Sequence, residues 1–121
     1  MSEHFRPALY LKATCPHCLK LRIFLLETGL AETCELKVFT PGDAAEAGIR
    51  DELARRFDKT TFPAARIAQK EYMKESDAII ERLAQQAGID PTDLPVFQAY
   101  AGSVLPRYQA ARRELRQLKE G

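Results

Sequence analysis

The chain has 121 residues, of which 45% are hydrophobic and 29% charged, and carries a formal net charge of +1. That length suits one domain able to bury a core without staples, and the composition reads as a soluble globular protein. The near-neutral balance excludes the broad basic field that nucleic acid needs, and no apolar run is long enough to cross a membrane.

The opening MSEHFRPALYLK has no charged segment leading into a long apolar run. It does not read as a signal peptide, and the expected location is the cytoplasm. PALYLK (7–12) is a short apolar strand candidate, with Tyr10 as core. CPHCLKLRIFLLETGL reads as a helix, because Leu19, Ile23, Leu26 and Leu30 recur on one face. Pro16 fits a first helical turn, where a missing N–H costs nothing, and Gly29 is a C-terminal stop. CELKVF (34–39) is a second strand, in which Cys34 reads as a buried small hydrophobe. TPGD is a turn, and Asp43 can cap a helix whose Ile49, Leu53 and Phe57 share a face. After the loop FDKTT, PAARIAQ and EYMKE form a hairpin. Ser76 can cap a helix running to about Gly88, with Ile79, Ile80, Leu83 and Ala87 inward.

The order to this point is β-α-β-α-β-β-α. Strands 1 and 2, joined through a helix, should be parallel with a right-handed crossover, and the last two antiparallel. Beyond GIDPTDLP a helical pattern continues to the end. Its Leu94, Phe97, Ala101, Val104, Tyr108, Ala111, Leu115 and Leu118 have the spacing of an a/d seam. Pro106 should kink it, its ring colliding with the turn at Gly102. The seam either folds back onto its own sheet or pairs with its copy in a homodimer, and RRELRQLKE outside it reads as a solvated face.

Three cysteines without a leader, Cys15, Cys18 and Cys34, argue against a secreted disulfide framework. Cys15 and Cys18 stand at a strand-to-helix junction and leave three readings. A zinc site needs four ligands, which Cys34 and the two histidines are not arranged to complete. An iron–sulfur cluster shared between two chains would need fewer from each. A buried core pair is the plain reading, but Cys15 falls outside the periodic face. The redox reading has a mechanism. A thiol at a helix N-terminus is favoured as thiolate, and only the thiolate attacks disulfides. Cys15 would then be the nucleophile and Cys18, one turn in, the resolving thiol. Pro16 would stiffen the turn between them, and His17, when charged, would lower the Cys15 pKa further.

The segment YLKATCPHC, within this order of elements, resembles the active-site stretch of glutaredoxins and of the N-terminal domain of glutathione S-transferases. TTFPA is similar to the T-x-P of the thioredoxin fold, whose proline is cis. KESDAI looks like the E-S-x-A-I stretch that holds the γ-glutamyl end of glutathione. Together these motifs cover residues 8–87. The resemblance implies an α/β, thioredoxin-like fold (β-α-β-α-β-β-α) with an added C-terminal helix. It divides the chain into a glutaredoxin-like domain, 1–89, and a helical extension, 90–121. It also implies that Lys12 pairs with a glutathione carboxylate, that the backbone of Phe62, before Pro63, meets the cysteinyl part, and that Glu75 and Ser76 hold the γ-glutamyl group. Plainer readings stand beside these: Lys12 as a solvated strand-end lysine, Glu75 as a surface charge, Ser76 as only a helix cap, Pro63 as a trans residue opening an edge strand.

Cys-Pro-His-Cys differs from the Cys-Pro-Tyr-Cys of glutaredoxins and is similar to the motif of a periplasmic disulfide oxidant. About thirty residues follow where a full transferase carries a helical domain of over a hundred. The expectation is therefore a glutathione-linked thiol–disulfide oxidoreductase. Its catalytic residues are Cys15, Cys18 and His17, its co-substrate is glutathione, and its partners are protein or small-molecule disulfides, with no metal, nucleic acid or membrane. The alternatives are a non-catalytic module that binds glutathione or a partner, and a transferase-like protein without the full helical domain.

Overall fold

The computed structural model describes residues 5–120. Met1–His4, part of the start read for a leader, and Gly121 lie outside the described residues. The elements are β1 (Ala8–Lys12), α1 (Pro16–Thr28), β2 (Glu35–Phe39), α2 (Ala44–Ala54), β3 (Ala64–Ala68), β4 (Glu71–Lys74), α3 (Ser76–Ala87), α4 (Pro95–Ala99) and α5 (Leu105–Glu120). Single-turn 3₁₀ segments precede β2 and α4. The sheet order is β2-β1-β3-β4. β1 runs parallel to β2 and antiparallel to β3, and β3 and β4 form the antiparallel hairpin. This is the expected α/β thioredoxin-like fold with a C-terminal helix added.

The apolar run of β1 reflects its central place, covered on both faces. Strand alternation sends Leu9 and Leu11 to one face with Cys18, Leu21, Leu25, Ile79 and Leu83. Ala8 and Tyr10 go to the other, with Phe39, Ile49 and Leu53. α1 and α3 thus cover one side of the sheet and α2 the other.

Local chemistry sets the helix ends. Asp43 caps α2 by accepting from Ala45 N and Glu46 N at 3.0 and 3.1 Å, and Glu46 accepts in return from Gly42 N at 2.7 Å. Gly29 stops α1 at φ 84°, a left-handed value that glycine takes without a Cβ penalty. Among the described residues no helix is long and apolar enough to cross a membrane.

Four expectations change. The inward face of α1 is Cys18, Lys20, Leu21, Phe24 and Leu25, while Leu19 is exposed and Leu26 is 67% exposed. The helix is apolar on several sides, so two tracks with helical spacing compete, and packing selects the other one. Cys34 is buried as expected, but it ends the 3₁₀ turn before β2 rather than lying in the strand. In α3, Ala84 faces inward and Ala87 is exposed. The α3 cap is Glu75, and Ser76 is the first helical residue.

The C-terminal pattern departs furthest. α4 packs on α1, with Phe97 and Phe24 edge to face at 5.9 Å. The Glu27 carboxylate accepts from the N–H groups of Val96 and Phe97 at 3.0 and 2.7 Å. Between α4 and α5, a wide π turn spans Tyr100–Val104 and contains Gly102. A π turn holds one residue more than an α turn, so it makes room around Pro106, and the helix continues instead of breaking. The extra residue also shifts the phase. Leu94, Phe97 and Ala101 join the core as the seam requires, but then Leu105 is buried and Val104, Tyr108, Ala111, Leu115 and Leu118 are exposed.

Candidate functional site

β1 ends at Lys12, and the chain turns through Ala13 and Thr14 to Cys15, the residue that caps α1. Pro16 occupies the first helical position, so its missing N–H removes no helix bond. Cys15 takes extended backbone angles and stands half-buried at the positive end of the helix. Its sulfur accepts from the backbone N–H of Cys18 at 3.4 Å and lies 3.9 Å from the carbonyl oxygen of Phe62. Cys18 is fully buried, and its sulfur accepts from the Lys12 N–H at 3.3 Å. All three cysteines are free thiols.

This arrangement drives the two sulfurs apart electrostatically. The Cys15 thiol is lowered from about 9 to about 5, chiefly because the Cys18 thiol donates a hydrogen bond to it. Burial works against ionisation, and the backbone N–H groups of Cys18 and His17 and the His17 charge assist it. Cys18 moves the other way, raised first by giving that hydrogen bond to Cys15 and next by burial. One sulfur is thus prepared as a nucleophile, and the other holds its proton against it.

The Phe62–Pro63 peptide, cis as the resemblance implies, faces this turn. Phe39 packs edge to face on Phe62 at 4.8 Å, and the Arg50 guanidinium lies 5.2 Å from the Phe62 ring.

Two lobes of one cleft open from here. The smaller, about 330 Å³, is bounded by His17, Phe62, Pro63, Glu75, Ser76 and, from the other side, Gln109. Ser76 is 7% exposed and begins α3, where helix N–H groups favour a carboxylate. Glu75 is the one described non-glycine residue with positive φ, at 81°. Such a conformation costs about 1–3 kcal/mol and persists where surroundings impose it. The lobe also contains Lys20, 7% exposed, whose Nζ lies 2.6 Å from Asp77 Oδ1. A buried cation, two carboxylates and a hydroxyl side by side suit a group carrying both an amine and a carboxylate.

The larger lobe, about 620 Å³, contains Cys15, Lys12 and Arg50 and is roofed by α5 through Tyr108, Arg112, Arg113 and Arg116. Beside Cys15, Leu19, Tyr100, Val104 and Tyr108 line a smaller apolar notch. Tyr100 donates its hydroxyl to the Pro16 carbonyl at 2.8 Å, and Gln109 Nε2 lies 3.4 Å from His17 Nε2.

Cys15, His17, Phe62, Pro63, Glu75 and Ser76 therefore converge on one cleft, with Cys18 behind Cys15. Lys12 falls in the lobe opposite Glu75 and Ser76. Lys20, Tyr100, Gln109 and the α5 arginines were not anticipated. Lys20 had a readable cue, since it follows His17 by three residues and so shares its helical face. Gln109 and the arginines reach the cleft only through the phase shift before α5, whereas Tyr100 stands at the start of the wide turn. Among the described residues no three His, Cys, Asp or Glu side chains converge as a metal ion would need.

The family model of the glutathione S-transferase N-terminal domain matches residues 9–92. Glutathione transferase Omega 2C from Trametes versicolor superposes with a TM-score of 0.54 at 18% identity, over 88% of this chain and 45% of that one. Glutathione transferase Omega 1C from the same organism gives a TM-score of 0.48 at 19% identity, over 67% and 36%. The chain thus spans less than half the length of either transferase. No curated protein matches its sequence.

Proposed function

Because the chain belongs to the glutathione S-transferase N-terminal domain family, we propose that it is a glutathione-linked thiol–disulfide oxidoreductase, with Cys15 as nucleophile and Cys18 as resolving thiol. One observation carries the reading: the Cys15 sulfur caps α1, accepts from Cys18, and is held near a pKa of about 5 in an open cleft. A half-exposed thiol ionised at neutral pH is reactive, whereas a buried structural cysteine is not.

The Cys15 thiolate attacks the glutathionyl sulfur of a mixed disulfide R–S–S–G. A Cys15–glutathione disulfide forms, and RS⁻ leaves and takes a proton from water. The charge that held the Cys18 proton is then gone. Cys18 loses that proton to water and its thiolate attacks the Cys15 sulfur, which expels glutathione as a thiolate that is protonated in turn and leaves a Cys15–Cys18 disulfide. Two further glutathiones reduce this and depart as glutathione disulfide. Alternatively, one glutathione resolves the first intermediate directly.

Glutathione serves as co-substrate, and the scheme calls for no metal. Its γ-glutamyl end would lie against Glu75, Ser76, Lys20 and Asp77, its cysteinyl backbone against Phe62 beside Pro63, and its glycyl carboxylate near Lys12. Residues 1–89 would form this catalytic unit and 90–121 its roof. A dithiol that cycles with glutathione suits a reducing compartment such as the cytoplasm.

The test is a glutathione-coupled assay of disulfide reduction. Cys15→Ser should abolish turnover, and full activity in that variant would overturn the mechanism. Cys18→Ser should keep part of its activity on glutathionylated substrates, because glutathione can resolve in place of Cys18.

A further inference from the structure

We propose that Arg112, Arg113 and Arg116 make the larger lobe a docking site for an acidic polypeptide segment carrying the disulfide to be reduced. The inference rests on the oxidoreductase reading and names its substrate class.

The lobe is about 620 Å³ and has Lys12, Arg50, Arg112, Arg113 and Arg116 on its walls, with no aspartate or glutamate among its lining residues. The chain as a whole is nearly neutral, at +1. Five cations around one opening are therefore a local arrangement, not a reflection of composition. Of these five, Arg50 pairs with Glu46 at 2.7 Å, a carboxylate that also feels the Lys12 charge, while among the described residues no ion pair takes up the three on α5. Arg112 is steadied by donating to the Tyr108 hydroxyl at 3.0 Å, which leaves its positive charge unneutralised.

Position selects what meets these charges. With the γ-glutamyl end of glutathione in the Glu75–Ser76 lobe, the glutathionyl sulfur lies at Cys15. Of the openings beside Cys15, the larger lobe, at about 620 Å³ against about 230 Å³ for the apolar notch, gives the other half of the disulfide its wider exit. The glycyl carboxylate of glutathione can occupy Lys12, but it does not reach the surplus on α5. Arg112, Arg113 and Arg116 follow one another at spacings of one and three, about 6 Å along the axis of the exposed helix α5. With Lys12 and Arg50 they line one opening, so an acidic segment passing out through it meets several cations at once. Cations in a groove attract acidic partners, speed their encounter and repel basic ones.

The experiment uses the full chain and three glutathionylated peptides of equal length. The residues flanking their cysteine are Asp and Glu, Ser and Gln, or Lys and Arg, and glutathione disulfide is assayed beside them. Wild type should show kcat/KM about tenfold higher for the acidic than for the neutral peptide at low salt, with the preference falling as salt screens it. The triple variant Arg112→Ser, Arg113→Ser, Arg116→Ser should bring that ratio close to one. Arg112→Glu with Arg116→Glu should reverse the order in favour of the basic peptide, an outcome that a merely structural role would not produce.

An unchanged ratio in these variants would overturn the inference, as would an equal loss on every peptide. So would a response confined to glutathione disulfide. Turnover by wild type without charge preference would overturn it alone. No turnover of any peptide by wild type would overturn the oxidoreductase reading with it.

Discussion

At the scale of single residues, Cys15 sets the pH behaviour. With its thiol at about 5, alkylation of Cys15 by iodoacetamide should rise through pH 5 and level off by about pH 7, while Cys18 stays unreactive. Cys18→Ala removes the largest contact that favours the thiolate and should move the midpoint up, toward the ordinary thiol range; His17→Ala should move it less. An unmoved midpoint in Cys18→Ala would refute the assigned cause. The sign for stability follows. The folded value lies below the unfolded one, so the reduced protein gains stability as pH rises from about 5 toward 9 and loses it on acidification. Glu75 gives a second residue-scale expectation. Its positive φ of 81° is strained for a side chain with a Cβ, so Glu75→Gly should unfold about 1 kcal/mol later in urea. The same change should weaken glutathione binding, measured by calorimetry, because the carboxylate is gone. The positions of Cys15, Phe62, Pro63 and Ser76 were readable from three short motifs. Lys20 carried a cue in its spacing from His17, but a lysine turned inward runs against the ordinary preference of that residue for water.

At the scale of elements, two carboxylates tie pieces together. Glu52 on α2 accepts from Tyr10 on β1 at 2.6 Å and from Tyr72 on β4 at 3.0 Å. Its own burial raises its pKa, but those two hydrogen bonds with Lys37 and Arg66 outweigh it and hold the carboxyl low. Tyr10 is raised, first by its burial and then by Glu52. A raised tyrosine lends stability below pH 10 that is lost above it, so alkaline unfolding should begin there. Glu52→Ala leaves the buried Tyr10 hydroxyl without its partner and should cost about 2 kcal/mol in chemical denaturation. Glu27 caps α4 from α1. Glu27→Ala should speed amide exchange over residues 95–105 and leave β1 and β3 unchanged; uniform exchange would refute this local role. The strands and the α2 cap were legible because alternation, turn residues and Asp43 act locally. The face of α1 was not, because α3 and α4 both pack on it and leave no single apolar side.

At the scale of the whole molecule, the α/β framework followed from the order of its elements, since a strand, a crossover helix and a hairpin admit few arrangements. The roof over Cys15 did not follow, because seven-residue spacing assumes an uninterrupted helix and Tyr100–Val104 interrupts it. Pro106→Ala removes the reason for the wide turn. The helix should then rewind as α, turning Leu105 and the arginines by about 100° about the axis. Charge preference should disappear while the pH profile of Cys15 alkylation persists. Deleting Ser103 in the same variant removes the surplus residue and should restore the preference. If Pro106→Ala keeps its preference, the turn does not set the aim of α5. The surplus residue thus makes this roof adjustable by length. A lineage could change which clients reach the sulfur by gaining or losing one codon there, with every residue around Cys15 kept.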